Sequence, residues 1–228
     1  MRFVSRDDVS AVLAGRRVAL VGSGPGVLEN PRGLIDSYDV VMRVNNYKLA
    51  PATGARTDVF FSFFGESIRK TARELKRDAV KPCMCKCPDS KPIESKWHAD
   101  RNKPRGVDFR YIYQGRADWW FCDTYVPTEA EFLEHFDLLG GHVPTTGFSA
   151  LLTLLSFEPL SVYMTGFDFF SSGLHNVNER WKPGDPRDPI GHVPKGEAKW
   201  LADNMARFPI TADRRLLETL KRTKREAA

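Results

Sequence analysis

The stretch Arg17-Val-Ala-Leu-Val-Gly-Ser-Gly-Pro-Gly26 is the part of the sequence that decides the fold. Its apolar residues predict a buried strand, and the glycines that follow predict a tight turn. Asp39-Val-Val-Met-Arg-Val-Asn45 predicts the next strand, and Thr57–Ser62 a third. Buried strands that alternate with helices indicate a mainly parallel sheet with helices on both faces. We therefore predict an α/β, Rossmann-like fold.

The second half of the sequence continues this alternation of strands and helices. Pro144-Thr-Thr-Gly147 leads into the apolar segment 148–157, which predicts a buried helix capped by one of the two threonines. Leu160–Gly166 predicts the strand that follows. Residues 168–196 are rich in Gly, Pro, Asp and His and predict a long loop, of the kind that often forms a lid. The other expected elements are helices over 66–78, over 128–139 and from about 213 onward, and a strand at 109–113.

The composition is that of one folded domain, and we expect residues 1–228 to form a single unit. Of the 228 residues, 42% are hydrophobic and 28% are charged, which is ordinary for a globular protein. No window contains the roughly 18 to 20 consecutive apolar residues that a membrane-spanning helix needs. Asp7 and Asp8 stand where a signal peptide would continue with apolar residues. We therefore expect a cytoplasmic protein.

The formal net charge of +5 favours an acidic ligand or an anionic membrane surface as a partner. The predicted C-terminal helix closes on Lys221, Arg222, Lys224 and Arg225. Basic residues there also suit the negative end of the helix dipole. A solvated helix end and a peripheral contact with the inner face of an anionic membrane both fit the pattern. We do not expect a nucleic-acid partner.

Three of the four cysteines lie together in Cys83-Met-Cys-Lys-Cys87, and Cys122 follows separately. A structural zinc site usually takes its ligands from two separated pairs, and this cluster does not have that form. We interpret the cysteines as free thiols in a surface segment. Zinc binding and a redox role are the alternatives.

Two glycine-containing turns are candidates for binding a phosphate or a ribose. In Gly22-Ser-Gly-Pro-Gly26, directly after the first strand, the missing side chains would let backbone amides approach a ligand. In Pro144-Thr-Thr-Gly147, a helix start offers N–H groups, two hydroxyls and the positive end of a dipole. Each turn also has a structural explanation, as a tight turn and as an N-cap. The first lacks the Gly-x-Gly-x-x-Gly spacing, and Asn45 rather than an acidic residue ends the second strand, which disfavours a nicotinamide or flavin oxidoreductase.

Two histidines of the predicted loop, His175 and His192, are candidate catalytic residues, and Glu197 follows the second as His-x-x-x-x-Glu. A neutral imidazole can take a proton from a hydroxyl near pH 7, and an imidazolium can neutralise a departing phosphate. A histidine in a loop is also commonly a solvated residue without a chemical role. His98, His135 and His142 lack such a setting, and we expect them to be structural.

These residues together resemble the sialyltransferases of glycosyltransferase family 29, whose four motifs occur here in order. The resemblance covers about half of the chain, and Ser23 stands where the family usually has Asn. The long motif is similar to residues 18–26, 33–45 and 54–58, the short motif to 144–147 and 162–168, the third motif to His175, and the very short motif to His192–Glu197.

The resemblance implies the GT-A-like fold variant of that family and transfer of an acidic sugar from a CMP-sugar co-substrate to a glycan or glycolipid hydroxyl, with inversion and without a separate cofactor. The sugar would be sialic acid or 3-deoxy-octulosonic acid. His175 would bind the donor phosphate, and His192 would be the general base. The cytidine nucleotide would be held by Gly22, Ser23, Gly24, Asn45, Thr145, Thr146 and Gly147.

The sequence contains no Asp-x-Asp, so the metal clamp used on nucleotide diphosphate sugars has no obvious ligands here. We therefore expect a reaction that does not need a metal ion, in which a helix N-terminus and an imidazolium stabilise the leaving phosphate. The alternative function is that of a nucleotide- or phosphosugar-binding protein with the same fold and no transfer activity.

Overall fold

The computed structural model of the chain describes residues 2–65, 68–89, 122–172, 174–176, 179–180 and 192–227. Its centre is an eight-stranded sheet in the order β1-β6-β5-β4-β3-β2-β7-β10, in which every pair of neighbours is parallel. The strands are β1 Arg2–Phe3, β2 Arg17–Val21, β3 Val40–Val44, β4 Val59–Ser62, β5 Cys83–Cys85, β6 Asp123–Tyr125, β7 Ser161–Thr165 and β10 Ile210–Ala212, and a separate antiparallel pair is formed by β8 Leu174–Asn176 and β9 Glu179–Arg180.

The helices cover both faces of this sheet. Alternate residues of one strand enter different clusters: Val18 and Leu20 lie in the largest apolar cluster, whereas Ala19 and Val21 pack on the other side with Val27. Because both faces are buried, the inner strands are mostly apolar, and Arg43 of β3 is a buried exception. This confirms the predicted α/β fold. The α-helices are α1 Arg6–Leu13, α2 Ala72–Arg77, α3 Glu129–Asp137, α4 Thr146–Leu155, α5 Pro194–Asn204 and α6 Arg214–Ala227, and 3₁₀ helices lie at Pro25–Glu29, Ile35–Ser37 and Met205–Arg207.

Local capping residues decide where several helices begin. Thr71 caps α2 and Thr128 caps α3, each with a glutamate three residues later that bonds back to the cap. The helix predicted over 66–78 is therefore too long at its start, since the chain turns at Thr71. Thr145 caps α4 through a bond from the Phe148 amide to its hydroxyl at 3.2 Å.

The cysteine cluster is a buried strand and not a surface segment, so that prediction was wrong. All four cysteines are free thiols and all are buried. Cys83 and Cys85 form the ends of β5, which lies between β4 and β6 and is covered on both faces. Burial raises the pKa of the Cys87 thiol well above its ordinary value. Short polar interruptions made this segment look like a loop, and only the strand pairing shows otherwise.

The predicted loop over 168–196 contains regular structure. Its described residues include β8 and β9, and α5 begins at Pro194, ahead of Glu197. The strand predicted at 109–113 lies outside the described residues. Within the described residues, no helix is long and apolar enough to cross a membrane.

Candidate functional site

The order of the strands places the candidate site at the carboxyl edge of the sheet. From β2 the chain continues through β3, β4 and β5 on one side, whereas β7 and β10 add to the other side. The boundary between β2 and β7 is therefore the point where the strand order reverses, and ligands of open α/β sheets bind in the crevice at that point. Gly22 follows β2 and Gly166 follows β7, so these two turns line the crevice.

The glycines after β2 allow two backbones to come close together. The amide of Gly22 donates to Thr165 O and that of Gly24 donates to Gly166 O, both at 2.8 Å. A Cβ atom at Gly22 would lie 2.3 Å from the carbonyl oxygen of Gly166, which is too short for any side chain. These two amides therefore bond within the protein. Ser23, between them, is partly exposed.

Phe167 joins the glycine turn to the start of α4, and the sequence did not single it out. A Cβ at Gly147 would lie 2.6 Å from Phe167 Cε1, and one at Gly22 would lie 3.1 Å from the same atom. The ring therefore rests against both glycines. Residues 22 and 147, which belong to the two predicted nucleotide-binding turns, are thereby brought together on one aromatic side chain.

Asn45 lies one residue beyond β3, at the same edge of the sheet. Its φ of 52° is left-handed, a conformation that Asn adopts more readily than most residues. Its amide donates to Phe61 O at 3.0 Å, and its Oδ1 accepts from Ser62 Oγ at 3.1 Å. These bonds fix the backbone and one end of the side-chain amide.

Arg43, the other polar residue near that strand end, is fully buried. It donates to the carbonyls of Thr53 and Arg56 at 2.7 and 2.9 Å. Burial lowers its pKa to about 10. Its bonds hold the following loop against β3, so we assign it a structural role.

Thr145 and Glu197 connect the start of α4 to α5. The Glu197 carboxylate, which is fully buried, accepts from Thr145 N at 2.6 Å and from Thr145 Oγ1 at 2.7 Å. The same hydroxyl accepts from Phe148 N to cap α4. The amide and hydroxyl of Thr145 thus serve to position two helices. Thr146, the first residue of α4, is buried beside it.

His192 is held by the same segment of chain. Its Nδ1 lies 2.7 Å from Val143 O. A carbonyl oxygen can only accept, so Nδ1 carries the hydrogen in this contact. In the neutral ring the basic lone pair is then on Nε2. The carbonyl of residue 143 therefore sets the tautomer of the imidazole.

The second candidate histidine, His175, lies in β8, where Leu174 pairs with Arg180 and Asn176 with Glu179. The described part of the structure bonds His192 to Val143 and Glu197 to Thr145, and it brings Gly22 and Gly147 together on Phe167. Within that described part, no group of three or more His, Cys, Asp or Glu side chains is placed to hold a metal ion.

At the level of sequence, the chain matches no protein-family model and no curated protein. Its fold, however, is that of solved sialyltransferases, as we predicted. A mammalian sialyltransferase in complex with Gal-beta-1-3GalNAc-ortho-nitrophenol gives a TM-score of 0.53 at 19% identity, over 89% of this chain and 71% of that chain. The sialyltransferase CstII from Campylobacter jejuni in complex with CMP-3FNeuAc gives 0.53 at 15% identity, over 86% and 81%. The same protein with cytidine-5'-monophosphate gives 0.54 at 14% identity, over 87% and 80%.

Proposed function

We propose that this protein is a glycosyltransferase of the sialyltransferase type, which moves an acidic keto-sugar from a CMP-sugar to an acceptor hydroxyl. The observation that carries the proposal is the joint attachment of His192 and Glu197 to residues 143–145 at the strand-order reversal. Residues that resemble two separate family motifs meet there through side-chain hydrogen bonds. In a nucleotide-binding protein without transfer activity, the same contacts would serve only to hold the two chain segments together.

The donor nucleotide would occupy the crevice between the turn after β2 and the start of α4. Ser23 offers a partly exposed hydroxyl, and Asn45 offers its side-chain amide. The N-terminus of α4, at Thr146 and Gly147, offers backbone N–H groups and a positive partial charge to the single phosphate of CMP. Gly22, Gly24 and Thr145 would shape the crevice, since their amides already bond within the protein.

The transfer step would use His192 as a general base. Nε2 takes the proton of the acceptor hydroxyl while that oxygen forms a bond to the anomeric carbon. The bond from the anomeric carbon to the CMP phosphate oxygen breaks, and CMP leaves with the electron pair. In-line displacement inverts the anomeric centre. The imidazolium of His175 would neutralise the leaving phosphate.

We further propose that the reaction needs no metal ion, because the sequence lacks Asp-x-Asp and the proposed phosphate partners are amides, a hydroxyl and imidazole. Transfer should persist in EDTA. Loss of transfer on chelation, restored by manganese, would contradict this. Metal content should be measured in parallel, so that any effect of EDTA can be assigned to a metal that the protein holds.

The acceptor would be a glycan or a glycolipid. A lipid-linked acceptor would require the enzyme to reach a membrane, and we propose the basic end of α6 as a peripheral contact with the inner face of an anionic membrane. The protein would then be cytoplasmic. The four basic side chains at this end, Lys221, Arg222, Lys224 and Arg225, are all exposed.

Ligand-dependent melting combined with a donor-hydrolysis assay tests the proposed function. CMP at about 100 dissociation constants should add roughly 2.7 kcal/mol to the free energy of unfolding, whereas NAD and UDP-sugars should add little. CMP-sialic acid or its 3-deoxy-octulosonic counterpart should be slowly hydrolysed. Stabilisation by CMP without hydrolysis or transfer would favour the binding protein, and equal stabilisation by UDP would contradict a cytidine site.

A further inference from the structure

A groove of about 320 Å³ lies between α5, the 3₁₀ helix Met205–Arg207 and α6. Its walls are mostly apolar, and two lysines of α6 border it. The residues that define it are Met205, Ile210, Leu217, Leu220, Lys221 and Lys224. Leu217 is 38% exposed, whereas Leu220 is buried, so the groove runs from the core to the surface.

The two ends of α6 differ in the ion pairs that their basic residues form. At the start, Arg214 and Arg215 both pair with Glu29. Near the other end, the described part of the chain provides no ion pair for the basic residues, and Glu226 is the one acid among them in the sequence. The groove therefore opens beside a helix end of net positive charge.

This end of α6 is remote from the proposed donor crevice. Asp213, just before α6, bonds to Gly166 N at the carboxyl edge of the sheet. The 14 residues of α6 then run back along the sheet for about 21 Å. Met205 and Ala206 of the groove precede β10 and so lie towards the amino edge. An occupant of the groove would leave the crevice open.

We propose that this groove and the basic end of α6 form a docking site for a membrane surface containing anionic phospholipids, in which the groove receives an acyl chain and Lys221 and Lys224 contact the phosphate. An apolar groove with lysine ammonium groups on one side matches an amphiphile whose charged group lies beside its acyl chain. A symmetric contact with a second copy would instead bring two basic helix ends together, which is electrostatically unfavourable. The inference rests on the proposed membrane contact and is independent of sugar transfer.

Vesicle co-sedimentation of the full chain tests this site. The protein should bind vesicles of phosphatidylcholine mixed with phosphatidylglycerol, and binding should weaken with salt. Replacing both lysines, Lys221→Ala with Lys224→Ala, should lower the partition coefficient by about 5-fold per lysine. The matched control, Arg73→Ala with Lys76→Ala, removes two exposed charges from α2 and should change little.

A groove variant separates the apolar contribution from the charged one. Leu217→Gln keeps the helix-forming tendency and should lower partitioning by about 3- to 10-fold while preserving the dependence on salt. Equal binding to phosphatidylcholine alone, or equal losses in the α2 control, would overturn the proposal. So would a concentration-dependent dimer that Leu217→Gln dissociates, because the occupant would then be a second copy. Stabilisation by CMP, measured on every variant, reports the donor site separately.

Discussion

Two buried carboxylates, Glu197 and Asp213, support the two sides of the crevice with the same chemistry. Both accept from a backbone amide and from a threonine hydroxyl: Glu197 from Thr145 N and Oγ1, and Asp213 from Gly166 N and Thr165 Oγ1, the last two at 2.8 Å. Glu197 thereby fixes the chain that holds His192. Asp213 fixes the turn against which the glycines pack.

The two carboxylates differ in which residues they support. Glu197 bonds to the segment 143–145, which also binds the proposed base. The Gly166 turn, in front of Asp213, packs on Gly22 and Gly24, and the Asp213 carboxylate itself would meet a Cβ at Gly26. One buried acid therefore supports the proposed base, and the other supports the proposed nucleotide-binding turn. This difference predicts that kcat and donor affinity can be changed separately.

The largest effect is expected from removing the base itself. His192→Ala should lower transfer by about 10²- to 10⁴-fold, or roughly 3 to 5 kcal/mol of transition-state stabilisation, and leave CMP affinity nearly unchanged. His175→Ala should weaken both, because a phosphate partner contributes to donor binding as well as to turnover. Steady-state kinetics and CMP titration measure the two quantities. If the two variants exchange these behaviours, the assigned roles are reversed.

Glu197→Ala should remove the support behind the proposed base and destabilise the fold by about 3 kcal/mol, because the two partly buried donors of Thr145 lose their acceptor. The milder Glu197→Gln retains one good acceptor and should fold. In that variant we expect kcat to fall by about tenfold, with CMP affinity nearly unchanged. The exposed Glu134→Gln serves as the matched control. Loss of CMP affinity without loss of kcat would reverse the comparison.

Asp213→Asn acts on the other side of the crevice. The Asp213 carboxylate accepts three hydrogen bonds, and the third comes from Leu216 N at 2.8 Å. The side-chain amide of the asparagine variant would place its nitrogen against one of these donors in either orientation. We expect a loss of about 2–3 kcal/mol in the free energy of unfolding, with CMP affinity reduced more than kcat. Denaturant unfolding and CMP titration measure these, with the exposed Asp203→Asn as control. An unchanged CMP affinity in a folded variant would argue against a link between this acid and the nucleotide.

His135 affects how the stability of the protein, and therefore of each of these variants, changes at acidic pH. Burial lowers its pKa to about 4, below the ordinary value of 6.5. Between these values the unfolded chain binds more protons than the folded one, so stability falls as the pH falls. From pH 7 to pH 5 this group should cost about 2 kcal/mol. His135→Gln should flatten that part of the stability profile, and an unaltered profile would assign the acid sensitivity to other groups.

Local patterns predicted much of this architecture. The strands at 17–21, 40–44 and 161–165 lie within the predicted runs, because a mostly apolar sequence is what a strand buried on both faces requires. A cap by Thr145 or Thr146 was predicted from side-chain chemistry that acts over three residues, and the structure identifies Thr145 as the cap. The cysteine strand was missed because its interruptions by Lys and Pro resemble a loop. β1 and β9 have two residues each, too few for a recognisable period.

The sequence by itself determined the helix caps, the apolar central strands and, through its resemblance to a known family, the candidates His175, His192 and Asn45. Only the tertiary structure decided which of them meet. Val143 and His192 are 49 residues apart, and Thr145 and Glu197 are 52 apart. Such contacts depend on the order in which strands pair, because the sheet brings the starts of α4 and α5 to one edge. The roles of Asp213 and Phe167 also depend on the tertiary structure. In the sequence, Asp213 is an ordinary helix cap and Phe167 an ordinary apolar residue. The strand order places both beside the glycine turn.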